Sequence, residues 1–205
     1  MGLFSSMKLD SFECLFVEQL EDLYDAEQRL TKALPKMAEK MEQVLQRGTE
    51  IGAAHFRAFE SERSQTHLAG ERQAKRLARW GSIVKTAAEQ AHRARLPSVR
   101  AGGGLSDVLA SVNDYDLALF AHPDGHLPTL RELTSGAPGI GAGARRERLL
   151  VIVGPESGFT DAEVAQARTA GARAVSLGPR ILRTETAALV MTAQLLFALE
   201  QPPVR

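Results

Sequence analysis

Apolar residues along this chain follow two periods. Leu117-Ala118-Leu119-Phe120 and Leu149-Leu150-Val151-Ile152-Val153 are unbroken apolar runs, the pattern of strands covered on both faces of a parallel sheet. Each run stops at turn residues, Ala121-His122-Pro123 in one case and Gly154-Pro155 in the other. Ala174-Val175-Ser176-Leu177, closed by Gly178-Pro179, predicts a third strand, and Ala54–Phe59 and Ser98–Val99 predict others. Between the second and third runs, Thr160-Asp161-Ala162-Glu163 has the spacing of a capping box, and Gly171 fits a left-handed residue just past a helix of about ten residues. Strand, helix and strand then form a right-handed parallel crossover.

Helical spacing governs the remainder. From about Arg72 to His92, Leu77, Trp80, Val84, Ala87 and Ala91 fall on one face, leaving Arg72, Lys75, Arg76 and Arg79 toward solvent and, potentially, phosphates. Thr184 to Leu199 is apolar on almost every side, which predicts burial in a core or between subunits. Residues 1–39 read as a separate helical segment, with Phe12, Leu15, Phe16, Leu20, Leu23 and Leu30 as an apolar stripe interrupted at Gln19.

A chain of 205 residues can hold one moderate α/β unit plus that appendage. The formal net charge is +0, but its distribution is uneven. Residues 61–100 carry nine Lys and Arg against three Asp and Glu, so that part could face RNA. Aromatic residues are few, and no surface for stacking single-stranded bases is evident. The single cysteine, Cys14, excludes an internal disulfide and suits a reducing cytoplasm. No apolar stretch is long enough to span a membrane. Glu18, Glu21 and Asp25 could contribute to a carboxylate iron site, yet no Glu-x-x-His pair accompanies them, and no metal is expected.

Two loops carry the candidate chemistry. Gly154-Pro155-Glu156-Ser157-Gly158-Phe159 follows one predicted strand, and Leu177-Gly178-Pro179-Arg180-Ile181-Leu182-Arg183-Thr184-Glu185-Thr186-Ala187 follows its neighbour. Spacing alone is equally compatible with ordinary strand-to-helix turns. The strings themselves resemble the C-terminal signature of the bacterial 16S ribosomal RNA (uracil-N3) methyltransferases, members of the SPOUT superfamily, whose usual forms are Gly-Pro-Glu-Gly-Gly-Phe and Leu-Gly-Pro-Arg-Ile-Leu-Arg-Thr-Glu-Thr-Ala. Ser157 stands where that family has glycine, and so does His92. The likeness continues upstream through Ser61-Glu62-Arg63-Ser64, Trp80 with Ala87-Ala88-Glu89-Gln90, and Arg93-Ala94-Arg95-Leu96-Pro97, covering roughly residues 35 to 200. Residues 7–37 instead resemble the first helix of a ferritin-like stress-protein family, in place of the β-rich PUA-like domain with which the methyltransferases normally begin.

The resemblance implies an α/β fold with a SPOUT-type parallel sheet, helices on both faces, and a C-terminal trefoil knot threaded from Gly178 through the loop of Gly154. The domain would span residues 40–205. It implies S-adenosylmethionine as cofactor, held by His122, Gly154, Pro155, Glu156, Gly158, Leu177, Gly178, Ile181, Leu182 and Thr184. Arg183 and Glu185 are the expected catalytic side chains, and Arg63, Arg72, Arg76 and Arg93 the expected contacts to small-subunit ribosomal RNA. Each of Arg183, Glu185, Arg63 and Arg93 could equally be a structural ion-pair partner. The implied enzyme is a cytoplasmic homodimer, needing neither membrane nor metal. The alternative from a different class is a non-catalytic, dimeric RNA-binding remnant or a ferritin-like helical protein. Ser157 would add bulk beside the methionine end of the cofactor, with backbone strain if its φ were positive.

Overall fold

Among the described residues, five parallel strands carry the fold, hydrogen-bonded as two sheets. The computed structural model describes residues 39–64, 72–136 and 148–199, and Lys40–Arg205 forms one unit. The N-terminal helix and its ferritin-like stripe lie outside the described residues. Helix α1 covers residues 39–51. It is followed by β1 (His55–Glu60), α2 (Arg72–Gln90), β2 (Ser98–Gly104), the short α3 (Leu105–Leu109) and β3 (Leu117–Ala121). Then come α4 (Leu130–Gly136), β4 (Leu149–Ile152), α5 (Asp161–Thr169), β5 (Arg173–Val175) and α6 (Thr184–Leu199).

The larger sheet has the order β4-β3-β5, with β3 pairing in parallel on both sides. Its residues alternate between two cores. Leu117 and Leu119 pack with Leu130 of α4 and with Met191 and Leu195 of α6. Ala118 and Phe120 pack with Leu105, Val108 and Leu109 of α3 and with Val164 and Ala167 of α5. Helices therefore cover both faces, as an all-apolar strand requires, and a fully buried Leu or Phe side chain contributes roughly 1.5–3 kcal/mol. The single sheet expected from the sequence is thus hydrogen-bonded as a three-stranded sheet and a separate parallel pair, β1-β2. That pair builds its own core with α1 and α2, where Phe56 packs with Leu45, Trp80 and Val84. Phe59 joins the two layers by stacking on Phe159, with centroids 6.4 Å apart and planes 3° from parallel.

The helix ends show why the local signals work. At α5 the Thr160 hydroxyl accepts from the Glu163 N–H at 3.2 Å while the Glu163 carboxylate accepts from the Thr160 N–H at 2.8 Å. At its other end Gly171, at φ +98°, donates to the Arg168 carbonyl, and Ala172 donates to the Ala167 carbonyl, which is a Schellman motif. Helix α2 closes in the same way: His92 donates to Glu89 and Arg93 to Ala88. There the left-handed position, φ +51°, falls on His92, the residue standing where the family usually has glycine. Arg93 then reaches back and donates to the carbonyls of Thr49, Ala53 and Gly52 at 2.9, 2.7 and 3.2 Å, capping the end of α1.

A side chain in the left-handed region costs about 1–2 kcal/mol, of which glycine would give back part as unfolded-state entropy. His92→Gly should therefore raise stability by about 0.5–1 kcal/mol, a rise in Tm of about 1–4 °C readable by calorimetry. An unchanged or lower Tm would mean that the imidazole makes a compensating contact.

Candidate cofactor and RNA site

Because β3, β4 and β5 are parallel, their carboxyl ends lie together and present three loops on one edge of the sheet. The chain leaves β3 toward β4 on one side and then returns to β5 on the other. The carboxyl end of β3 is therefore a topological switch point, the place where open α/β sheets bind ligands.

Backbone and side-chain bonds join the loops there. The His122 N–H donates to the Val175 carbonyl at 3.0 Å, and the Ser176 N–H to the Pro128 carbonyl at 3.0 Å. The Thr184 hydroxyl donates to the Gly154 carbonyl at 3.0 Å, tying the segment after Gly178 to the loop after β4. The His122 ring lies against Phe120. Gly158 donates to the Pro155 carbonyl at 2.9 Å, closing a tight turn. Gly158 and Gly178 sit at φ +70° and +107°, and a Cβ on either would meet nothing within 4 Å. Both glycines thus combine a conformation that side chains disfavour with open space beside the backbone. Ile181 is 90% exposed on the second loop.

Glu185 opens α6 from within. Its side chain is 9% exposed, and its Oε2 atom is buried with no hydrogen-bond partner. A buried carboxylate oxygen without a donor is costly and calls for a bound water, a ligand or a reacting group to complete its bonding. Arg183, two residues earlier, is exposed. The residues present fit a cofactor read through loop backbone: two glycines with open space beside them and three crosslinked loops.

The expected strain at Ser157 is absent, because the positive φ falls on Gly158 instead. Ser157 turns outward, and its hydroxyl donates to the Arg63 carbonyl at 3.0 Å. Arg63 Nη1 returns the contact, donating to the carbonyls of Ser157 at 3.0 Å and Phe159 at 3.3 Å. The second oxygen system of the cap joins in: Glu163 Oε1 accepts from the Glu62 N–H at 2.9 Å. Lys40 adds a salt bridge to Glu156. Arg63 thus clamps the loop after β4, and Arg93 caps α1. Arg76 is half-buried on α2, Arg79 pairs with Glu42 at 2.6 Å, and the Arg72 side chain lies outside the described residues. The clamp of Ser157, Arg63, Glu62 and Glu163 is absent from any local pattern, since its halves are far apart in the chain. Among the described residues, no group of three or more His, Cys, Asp and Glu could hold a metal ion. Nor is any helix among them long and apolar enough to cross a membrane.

The parallel sheet, switch point and loop chemistry are those of a SPOUT-type α/β methyltransferase. The chain belongs to the RNA methyltransferase family, whose domain model matches residues 26–196. It is 33% identical over 190 residues to the ribosomal RNA small subunit methyltransferase E of Bacillus subtilis, covering 90% of this chain and 72% of that protein. A Legionella pneumophila methyltransferase solved with bound cofactor SAM superposes with a TM-score of 0.68 at 33% identity, covering 78% of this chain and 61% of that one. The small subunit methyltransferase E of Neisseria gonorrhoeae, solved bound to S-adenosyl methionine, gives 0.67 at 33% identity, with 78% and 61% covered. The chain spans about three-fifths of the length of those two solved proteins.

Gly154 is fixed by a neighbour rather than by its φ. A Cβ there would lie 2.7 Å from the Phe159 ring, which is held against Phe120 at 4.4 Å. Gly154→Ala should cost about 1–3 kcal/mol through forced repacking, measured as a lower urea midpoint at unchanged slope. A wild-type midpoint would show that the Phe159 ring yields freely.

Proposed function

We propose that this chain transfers a methyl group from S-adenosylmethionine to N3 of a uridine in small-subunit ribosomal RNA. The observation that carries this reading is the pair of loops after β4 and β5, tied by the Thr184 to Gly154 hydrogen bond and each holding a left-handed glycine with open space beside it, in a chain whose solved relatives bind this cofactor. When bound, S-adenosylmethionine supplies a methyl group already activated on a sulfonium. The protein then has to align the acceptor and exclude water. Backbone groups of Gly154, Pro155, Glu156, Gly158, Leu177, Gly178, Ile181 and Leu182, with His122 as a side wall, hold the cofactor. Thr184 keeps the two principal loops in register through Gly154.

Uridine N3 bears a proton that must leave as the bond to carbon forms. The Glu185 carboxylate accepts it, and the exposed Arg183 guanidinium steadies negative charge developing on the base oxygens. Arg63, Arg72, Arg76 and Arg93 border the RNA path. Arg63 and Arg93 serve chiefly by holding the first loop and the end of α1. The Thr184 to Gly154 bond also supports a knotted path, because it fastens the segment after Gly178 to the loop that segment would thread.

Helix α6 supports a homodimer. Ala187, Met191 and Leu195 face the core, whereas Ala193 lies exposed and Phe197 is 74% exposed. An apolar helix with a wet apolar side calls for a second copy. An enzyme acting on ribosomal RNA would work in the cytoplasm.

Calorimetric titration with S-adenosylmethionine tests the cofactor assignment: saturable binding near one site per chain is expected, and no heat at millimolar cofactor overturns it. Glu185→Gln should lower the methyl-transfer rate by about 10²-fold or more while leaving cofactor affinity nearly unchanged; equal rates remove Glu185 from the proton transfer. Phe197→Asp should convert a sedimenting dimer into a monomer, and a monomeric wild type would refute the interface.

A further inference from the structure

The β1-β2 pair has two faces of opposite character. Phe56, Ala58, Val99 and Ala101 point into the core beneath α1 and α2. By the alternation of a strand, His55, Arg57, Ser98 and Arg100 point the other way, and all four are exposed. The register pairs them in rows: His55 opposite Ser98, and Arg57 opposite Arg100. In the first row, His55 Nδ1 lies 2.8 Å from the Ser98 hydroxyl, fixing an imidazole and a hydroxyl side by side. In the second row, two guanidinium groups sit on adjacent strands roughly 4.8 Å apart in backbone spacing. Like charges directly across a sheet repel. Among the described residues, neither arginine has a carboxylate partner.

Two unneutralised guanidiniums beside an imidazole and a hydroxyl form a cluster of donors with one complement, an anion offering several acceptor oxygens. Arg95, exposed in the turn leading into β2, adds positive charge at the same end of the pair. The cluster lies at the amino end of β1. Arg63, at the far end of that segment, holds the first cofactor loop. Six residues at about 3.3 Å each put at most roughly 20 Å between the two. The face lies at the opposite end of β1 from the segment that holds that loop, and within reach of the same RNA.

We propose that the face bearing His55, Arg57, Ser98 and Arg100 docks the phosphodiester backbone of the RNA substrate. The proposal rests on the RNA substrate proposed above. It assigns binding to residues that take no part in cofactor contact or proton transfer. Arginine forks on phosphate oxygens relieve the mutual repulsion of Arg57 and Arg100 and release counterions from the RNA, so the contribution must weaken as salt rises.

The test uses the full chain and 16S ribosomal RNA, comparing the wild type with Arg57→Gln/Arg100→Gln and with the charge-retaining Arg57→Lys/Arg100→Lys. Affinity is measured across a salt series, beside S-adenosylmethionine affinity and Tm. The glutamine pair should weaken RNA binding by about tenfold or more near 0.1 M salt and reduce the salt slope by about 1–2. The lysine pair should restore most of the slope, while cofactor affinity stays at the wild-type value in both pairs and Tm falls below it in neither, rising slightly in the glutamine pair as the repulsion is removed. RNA binding of unchanged strength and slope in the glutamine pair overturns this proposal and leaves the methyltransferase reading intact. A wild type that binds cofactor but no RNA overturns both the docking face and the RNA substrate. Parallel losses of cofactor affinity and Tm would show that the arginines act through the fold, which also overturns the proposal.

Discussion

The burial of β3 on both faces is the constraint on which the rest of this structure depends. A strand that sends Leu117 and Leu119 to one helical layer, and Ala118 and Phe120 to the other, can only be central. Being central and parallel, it obliges its two neighbours to be reached by crossovers on opposite sides. Those crossovers bring three loops to one edge of the sheet, where loop sequence can vary without disturbing the apolar runs that place them.

A second layer of control comes from polar contacts that tie the loops to one another. Glu163 illustrates the economy. It is 4% exposed, and both of its oxygens are used: one caps α5 through Thr160, the other accepts from Glu62. A local helix-start signal thereby becomes a long-range strut between the segment after β1 and the loop after β4. Ser157 extends the strut, since its hydroxyl binds the backbone of Arg63 while Arg63 binds the backbone of Ser157 and Phe159. A residue that departs from the family's glycine is accommodated because it turns outward to Arg63, and the flexible step is taken by Gly158.

What the sequence made legible follows the range of each signal. The apolar runs located β3 and β4, the capping box located α5, and Gly171 its end, because each depends on residues a few positions apart. The family motifs marked both loops for the same reason. The division into two hydrogen-bonded sheets was not legible, since strand pairing depends on contacts between distant segments. Nor were the uses of Arg63 and Arg93, whose partners are backbone carbonyls, and a carbonyl has no residue identity to read. The apolar α6 is instructive in the opposite sense. Its composition called for burial on all sides, yet Phe197 is 74% exposed, so the sequence pattern describes a surface that a single copy of the chain leaves open.

The two arginine-rich parts of the molecule differ in what their neighbours have done with the charge. On α2 and in the flanking loops, Arg79 is paired with Glu42 and Arg93 is occupied by carbonyls, so those charges already contribute to the fold. Arg57 and Arg100 stand in the reverse condition. They lie opposite each other in register, in a sheet face whose stability would gain from separating them. A charge absorbed by the fold is poorly placed to attract a polyanion, because binding must first break an existing bond. A repelling pair has nothing to break and its repulsion to lose. Net basic composition along a stretch of sequence is therefore a weaker guide to an RNA path than cations that the fold sets side by side without compensation, as it does Arg57 and Arg100.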